Sequence, residues 1–268
     1  MSAADPPRYA ANLSILFSGL PLSERPAAAA ERGFAYAESW WPFAGPAASE
    51  DELAAFCESF ERAGVQLVLL NLTAGASNET GRGILTDPDA GAAFEANLAS
   101  VCEILERTGC RVVNALYGNR LDPAHTEAED ALALERIVRL ADRIAEYGAT
   151  VVVETLNSLS SPSYPLVDID RTAATVAAAR SHCRHGNVAL LLDTYHLTTM
   201  GRDPAEAIRR YGPLIGHVQF ADAPGRGEPG TGAIDFTGVL SALDEIGFSG
   251  FVGLEYDPRF QAPTGVRI

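Results

Sequence analysis

A single (β/α)8 TIM barrel, one domain over residues 1–268, is the fold that the sequence predicts. Three observations carry it. A charged helical stretch that ends in Gly and gives way to a short apolar run recurs down the chain. The apolar runs are rich in Val and Leu and do not alternate strictly with polar residues, which suits strands buried on both faces of a parallel sheet. With the opening run added there are eight units of about 33 residues each, the size of a βα repeat in a barrel of roughly 250 residues.

The elements follow in order. An opening strand is expected around Arg8 to Ile15. The repeats are then Gly33 before FAYAES, Gly64 before VQLVLLNL, Gly109 before CRVVNALY, Gly148 before ATVVVE, Gly186 before NVALLLD, Gly212 before PLIGHVQF and Gly247 before FSGFVGLE. Gly just past a helix accepts the left-handed conformation that ends it. Between strands, Phe94, Leu98, Val101, Cys102 and Leu105 share one helical face, and Leu134, Ile137, Val138, Ala141, Ile144 and Ala145 another. Ser49 with Glu52, and Thr126 with Glu129, have capping-box spacing at helix starts. Glycine-rich loops at 73–83 and 223–232 fall after strands 3 and 7. An open doubly wound sheet would show a phosphate-binding GxGxxG after an early strand. The first strand ends in ANLSILFSGL instead.

Composition excludes several function classes. The chain has 35 acids against 20 bases, a net charge of −15. Such a surface repels phosphate backbones and anionic lipids, so neither nucleic acid nor a membrane is an expected partner. All the bases are arginine. Without lysine, Schiff-base, pyridoxal-phosphate and P-loop chemistry are closed. Cys57, Cys102, Cys110 and Cys183 form no CxxC pair and read as buried hydrophobes in a reducing compartment. Met1 to Arg8 has no signal-peptide pattern, and no run of about 18 apolar residues exists. A cytoplasmic protein is expected.

A barrel of this kind does its chemistry at the C-terminal ends of its strands. Strand 2 closes on Glu38, strand 5 on Glu154, strand 6 on Asp193, strand 7 on Gln219 and strand 8 on Glu255. Gaps of 39, 26 and 36 residues separate the last four, each about one βα unit. Three carboxylates at an apolar mouth repel one another in low dielectric, and a divalent cation resolves that conflict. Oxygen ligands suit Mg²⁺ or Mn²⁺ better than Zn²⁺. Glu154, Asp193, Gln219 and Glu255 are therefore the expected ligands.

Candidate substrate contacts surround them. His196 lies just beyond strand 6. His217, two residues before Gln219, shares its face deeper in the barrel. Glu38 and Trp41 stand at the end of strand 2, and Asn157 just after strand 5. Arg226, in GRGEPGTG, and Arg82, in the loop after strand 3, are placed to clamp a carboxylate. His125, His182 and His185 fall in or near helices and read as surface residues.

At these residues the sequence resembles the hydroxypyruvate isomerase family of the xylose-isomerase-like barrels. The matching stretches are YAANLS at 9–14, DTYH at 193–196, IGHVQFAD at 215–222, RGEPGTG at 226–232 and LEY at 254–256. The resemblance implies a metal held by the same four residues, with Glu154 and Glu255 as the acid/base pair. Two loops depart from the family. Residues 71–77 read NLTAGAS where the family has NLPAGDW, and Thr155 follows Glu154 where the family has Pro.

The expected reaction moves a carbonyl between adjacent carbons of a small hydroxy-oxo acid, hydroxypyruvate to tartronate semialdehyde, through an enediolate. A 2-oxo-tetronate isomerase would keep the same ligands. Ketose isomerases or epimerases share the fold, but in the epimerases His is typical at the position of Gln219. A non-catalytic sugar-acid-binding barrel is the reading from another class, and the presence of both Glu154 and Glu255 argues against it. A DNA-repair endonuclease would need several zinc-binding histidines and a basic groove. The expected partner is a small oxo acid or sugar, a homo-oligomer is allowed, and no organic cofactor is required.

Overall fold

The computed structural model describes residues 8–75, 81–122, 124 and 126–260. Eight parallel strands close into a barrel in sequence order. They are β1 (Arg8–Asn12), β2 (Tyr36–Ser39), β3 (Gln66–Asn71), β4 (Val112–Asn114), β5 (Thr150–Glu154), β6 (Val188–Asp193), β7 (Ile215–Phe220) and β8 (Phe251–Leu254). The seam is β1 on β8, with Arg8 opposite Phe251 and Ala11 opposite Leu254. The expected fold class is what is found. Around the barrel run α1 (Leu13–Leu16), α2 (Arg25–Glu31), α3 (Glu50–Ala63), α4 (Gly91–Thr108), α5 (Thr126–Ile144), α6 (Ile169–His182), α7 (Thr194–Thr199), α8 (Pro204–Tyr211) and α9 (Phe236–Glu245).

Local chemistry sets the boundaries. The Ser49–Glu52 capping box starts α3, a cap worth about 1 kcal/mol. Gly33, Gly64, Gly109, Gly148, Gly186 and Gly247 all take positive φ, as expected of helix stops. Gly212 does not. Its φ is −40° and it leads into a 3-10 turn. A Cβ there would lie 3.0 Å from Ile246, so close packing is what asks for glycine.

Two expected boundaries fail. The opening strand stops at Asn12, whose Oδ1 accepts the N–H groups of Ser14 and Ile15 and so starts α1. The box at Thr126 does not form, because Thr126 is already inside α5. Its partner Glu129 accepts instead from the N–H groups of Leu121 and Asp122 and pairs with Arg120, holding the loop before the helix. His125 lies outside the described residues, as do Met1 to Pro7 and positions 76–80 of the loop at 73–83. His182 and His185 are exposed, and all four cysteines are free and buried.

Packing falls into two layers. The large core lies between strands and helices, with Ile104, Leu105, Ile137, Leu140 and Ile144 against Val151 and Val153. Inside the barrel, Leu69, Val152, Ala189 and Leu191 form a small apolar plug with Val112 packed against it. Side chains two residues apart on a strand share a face. The residues two beyond Leu69, Val112, Val152 and Leu191 are Asn71, Asn114, Glu154 and Asp193. An apolar floor is thus followed, one layer nearer the C-terminal mouth, by a polar ring. Among the described residues no helix is long and apolar enough to cross a membrane.

Candidate active site

Every strand contributes to that ring: Asn12, Glu38, Asn71, Asn114, Glu154, Asp193, Gln219 and, one residue past β8, Glu255. Each is at most 5% exposed. The five acids and amides expected at strand ends are here. The asparagines of β1, β3 and β4 were missed, although Asn71 and Asn114 close apolar runs in the same way.

Asn114 Nδ2 donates to Glu154 Oε2 at 2.8 Å. Asp193 Oδ1 accepts the His196 N–H at 2.9 Å and so starts α7, while its Oδ2 is buried without a partner. Gln219 Nε2 donates to Glu38 Oε1 at 2.8 Å, leaving its own Oε1 buried and without a partner. Glu154, Asp193 and His196 each offer an atom within 4.8 Å of the others. Glu255 does not join this group. Its Oε1 accepts from Asn12 Nδ2 and Trp40 Nε1, and its Oε2 from Arg226.

His196 has a defined role in the network. Its Nδ1 accepts the backbone N–H of Asn157 at 3.1 Å and faces the Asn157 amide nitrogen at 2.7 Å. The ring proton is thereby assigned to Nε2, which points at Glu154 Oε1 3.8 Å away. Burial, then Arg226 and Arg82, hold this imidazole well below its ordinary pKa. It is a neutral donor.

The carboxylates shift the other way. Burial pushes Glu154 well above the usual range, and Glu255 and Asp193 add to it. Burial raises Asp193 to about 6 and Glu255 to about 7, in each case against the pull of Arg226.

Above the ring opens a cavity of about 440 Å³. Glu154, Glu255 and His196 lie at its base, Arg82 and Arg226 at its edge, and Trp40, Trp41, Leu72, Leu116 and Leu156 along its walls. Arg82 donates to Ser161 Oγ at 2.7 Å and to the Gly81 carbonyl at 2.8 Å. Trp41 donates to the Gly45 carbonyl and packs edge-on against Phe43. Asp193, Gln219, Glu38, His217 and Asn157 are not in the lining. Asp222 was missed by sequence reading except as part of a motif. Its buried carboxylate accepts four backbone N–H groups, from Ala223, Ile234, Gly230 and Gly232, and so shapes the loop that carries Arg226.

Residues 26–267 match the description "Xylose isomerase-like TIM barrel". The chain belongs to this family. A Streptomyces coelicolor protein, provisionally named hydroxypyruvate isomerase, is 44% identical over 94% of this chain and 91% of its own length. The 2-oxo-tetronate isomerase of Haemophilus influenzae is 30% identical over 97% of both chains. Among solved structures, that of an AP endonuclease family 2 protein from Brucella melitensis superposes with a TM-score of 0.84, at 30% identity over 95% of both chains. A D-psicose 3-epimerase, solved in the presence of D-fructose, is 23% identical over 93% of this chain and 84% of its own and shares the fold, with a TM-score of 0.74. The family resemblance read from the sequence agrees with these relatives, and so does the expectation of an isomerase.

Proposed function

We propose that the chain is a divalent-metal-dependent isomerase of small hydroxy-oxo acids, converting hydroxypyruvate to tartronate semialdehyde. The observation that carries this reading is a set of four buried oxygens without partners in one polar ring with the Glu154 carboxylate: Asp193 Oδ2 and Gln219 Oε1, and with them Asn71 Oδ1 and Asn114 Oδ1. Buried acceptors left unpaired are costly, and a hard cation suits them. Glu154, Asp193 and Gln219 would hold Mg²⁺ or Mn²⁺, with Glu255 as the fourth ligand once it exchanges one of its bonds to Asn12, Trp40 or Arg226 for the ion. When bound, the ion supplies Lewis-acid stabilisation for negative charge developing on the substrate oxygens.

The chain's own groups move the proton. Glu255, raised to about 7, takes it from the hydroxyl-bearing carbon. Glu154, pushed up by burial, holds one for the adjacent carbon. The reverse reaction uses the pair in the opposite order. A carboxyl tuned toward neutrality exchanges a proton with a C–H acid at lower cost than an ordinary one. His196 Nε2–H donates to a substrate oxygen. Arg82 and Arg226 give the cavity a positive edge for the substrate carboxylate. Trp40 and Trp41 wall off water.

The size of the cavity favours a second substrate. About 440 Å³ is more room than a three-carbon acid requires, and a four-carbon 2-oxo acid would meet the same groups. A nuclease reading is not favoured, since the chain carries a net charge of −15 and, among the described residues, only His196 and His217 are buried histidines. The four free thiols suit a reducing cytoplasm. The test is to strip the protein with chelator, restore Mn²⁺ or Mg²⁺, and assay hydroxypyruvate and 2-oxo-tetronate. Metal-dependent conversion of either acid supports the proposal, and no conversion of both refutes it.

A further inference from the structure

Beneath the candidate metal centre lies a carboxylate outside the cavity lining. Glu38 of β2 is fully buried and reaches across the barrel interior to β7. Gly253 of β8 leaves it room. A Cβ at that glycine would lie 2.3–2.5 Å from the Glu38 carboxyl atoms. Glu38 Oε1 accepts from Asn12 Nδ2 at 2.9 Å and from Gln219 Nε2 at 2.8 Å. Its Oε2 stands 2.8 Å from His217 Nε2. Asn12 Nδ2 also donates to Glu255 Oε1 at 3.0 Å, so the same anchor steadies that residue.

We propose that Glu38 is the positioning residue that makes Gln219 a metal ligand, an inference that rests on the metal centre proposed above. A glutamine amide has an oxygen end that binds a hard cation and a nitrogen end that does not. The two ends are nearly equal in shape, so hydrogen bonding decides which one faces the centre. Glu38 Oε1 already accepts from Asn12, and a reversed Gln219 would set a second oxygen against it at hydrogen-bond distance. The amide nitrogen therefore turns to Glu38. The amide oxygen turns away, with no other partner. Glutamine at this position works because a carboxylate stands behind it, and a second carboxylate there would not.

The test is the Mn²⁺ dissociation constant, measured by calorimetry on the full chain, with the fold of each variant checked by circular dichroism. Outer-shell partners of metal ligands typically govern affinity by about 10- to 100-fold. Glu38→Ala is expected to weaken binding by about tenfold or more. Gln219→Glu adds a charged ligand, yet it is expected to bind more weakly than wild type because it faces Glu38. The swap Glu38→Gln/Gln219→Glu restores a donor between this pair but turns the same amide nitrogen toward Asn12 Nδ2, so it is expected to recover only part of the affinity that Gln219→Glu loses. If Glu38→Ala does not fold, the other two variants carry the test. A folded Glu38→Ala with wild-type affinity overturns the inference, as does a Gln219→Glu that binds more tightly than wild type or a swap that recovers nothing. A wild-type chain that binds no Mn²⁺ overturns the metal centre itself and this inference with it.

Discussion

Arg226 grips Glu255 at two points, with Nη2 donating to Oε2 at 2.7 Å and Nε to the backbone carbonyl at 3.2 Å. The arginine does so from a left-handed backbone, φ 56°, with its guanidinium 5.6 Å above the Tyr195 ring. It holds the side chain that we assign to proton transfer. Arg82, also at the cavity, donates to Ser161 Oγ and to the Gly81 and Ser160 carbonyls.

The two arginines should therefore fail differently. Arg82→Ala is expected to raise KM for the oxo acid by about tenfold, roughly 1.4 kcal/mol of binding, with kcat little changed. Arg226→Ala is expected to lower kcat by about tenfold or more, because Glu255 loses its counter-charge and its anchor. Steady-state kinetics of both variants on the better of the two acids decides. The same split in the reverse order would exchange their roles.

Glu154→Gln and Glu255→Gln keep an oxygen beside the centre and remove the titrating group. Each is expected to lose about 10²-fold or more in turnover while some Mn²⁺ binding remains. Near-normal turnover in either variant would place the proton transfer elsewhere.

Much of this site was legible because β-strands of a barrel have a strict period of two. Glu154, Asp193, Gln219 and Glu255 each end an apolar run, and the structure places all four in one buried ring. Asn71 and Asn114 carried the same signal and were passed over, because apolar residues follow them, Leu72 after one and Ala115 to Tyr117 after the other, and hide where the strand ends. Asp222 and Asn157 act through backbone N–H groups and a histidine ring brought together by loop folding, which no local pattern reveals. The spacing of Thr126 and Glu129 misled because Glu129 is claimed by Arg120 and by two N–H groups of the preceding loop. Glu38 was expected to meet substrate. Its chemistry was visible in the sequence, but its direction depended on the missing Cβ of Gly253, one barrel neighbour beyond β1.

Asp222→Ala would leave four backbone N–H groups without their carboxylate. A cost of about 1–3 kcal/mol in unfolding free energy is expected. A loss of kcat resembling that of Arg226→Ala should accompany it, since the loop carries that arginine. Denaturant unfolding together with kinetics checks both, and a stability loss without the kinetic effect would separate the loop from the site.

The raised carboxyls make a pH prediction for the metal-free protein. Asp193 near 6, Glu255 near 7 and Glu154 above the usual range hold protons that the unfolded chain releases near pH 4. Their contribution to stability is full below that pH and is lost as pH rises through the folded values. The metal-free Tm should therefore fall between about pH 4 and 7, and saturating Mn²⁺ should raise it most at the alkaline end. Calorimetric melts across that range, with and without metal, check the sign.

The most direct test of the central claim is deuterium incorporation, followed by proton NMR, when the Mn²⁺-loaded protein turns over hydroxypyruvate or 2-oxo-tetronate in heavy water. The account predicts exchange at the two adjacent carbons between which the carbonyl moves, lost in both Glu154→Gln and Glu255→Gln. Exchange confined to neutral ketoses, or exchange that survives both substitutions, would contradict it.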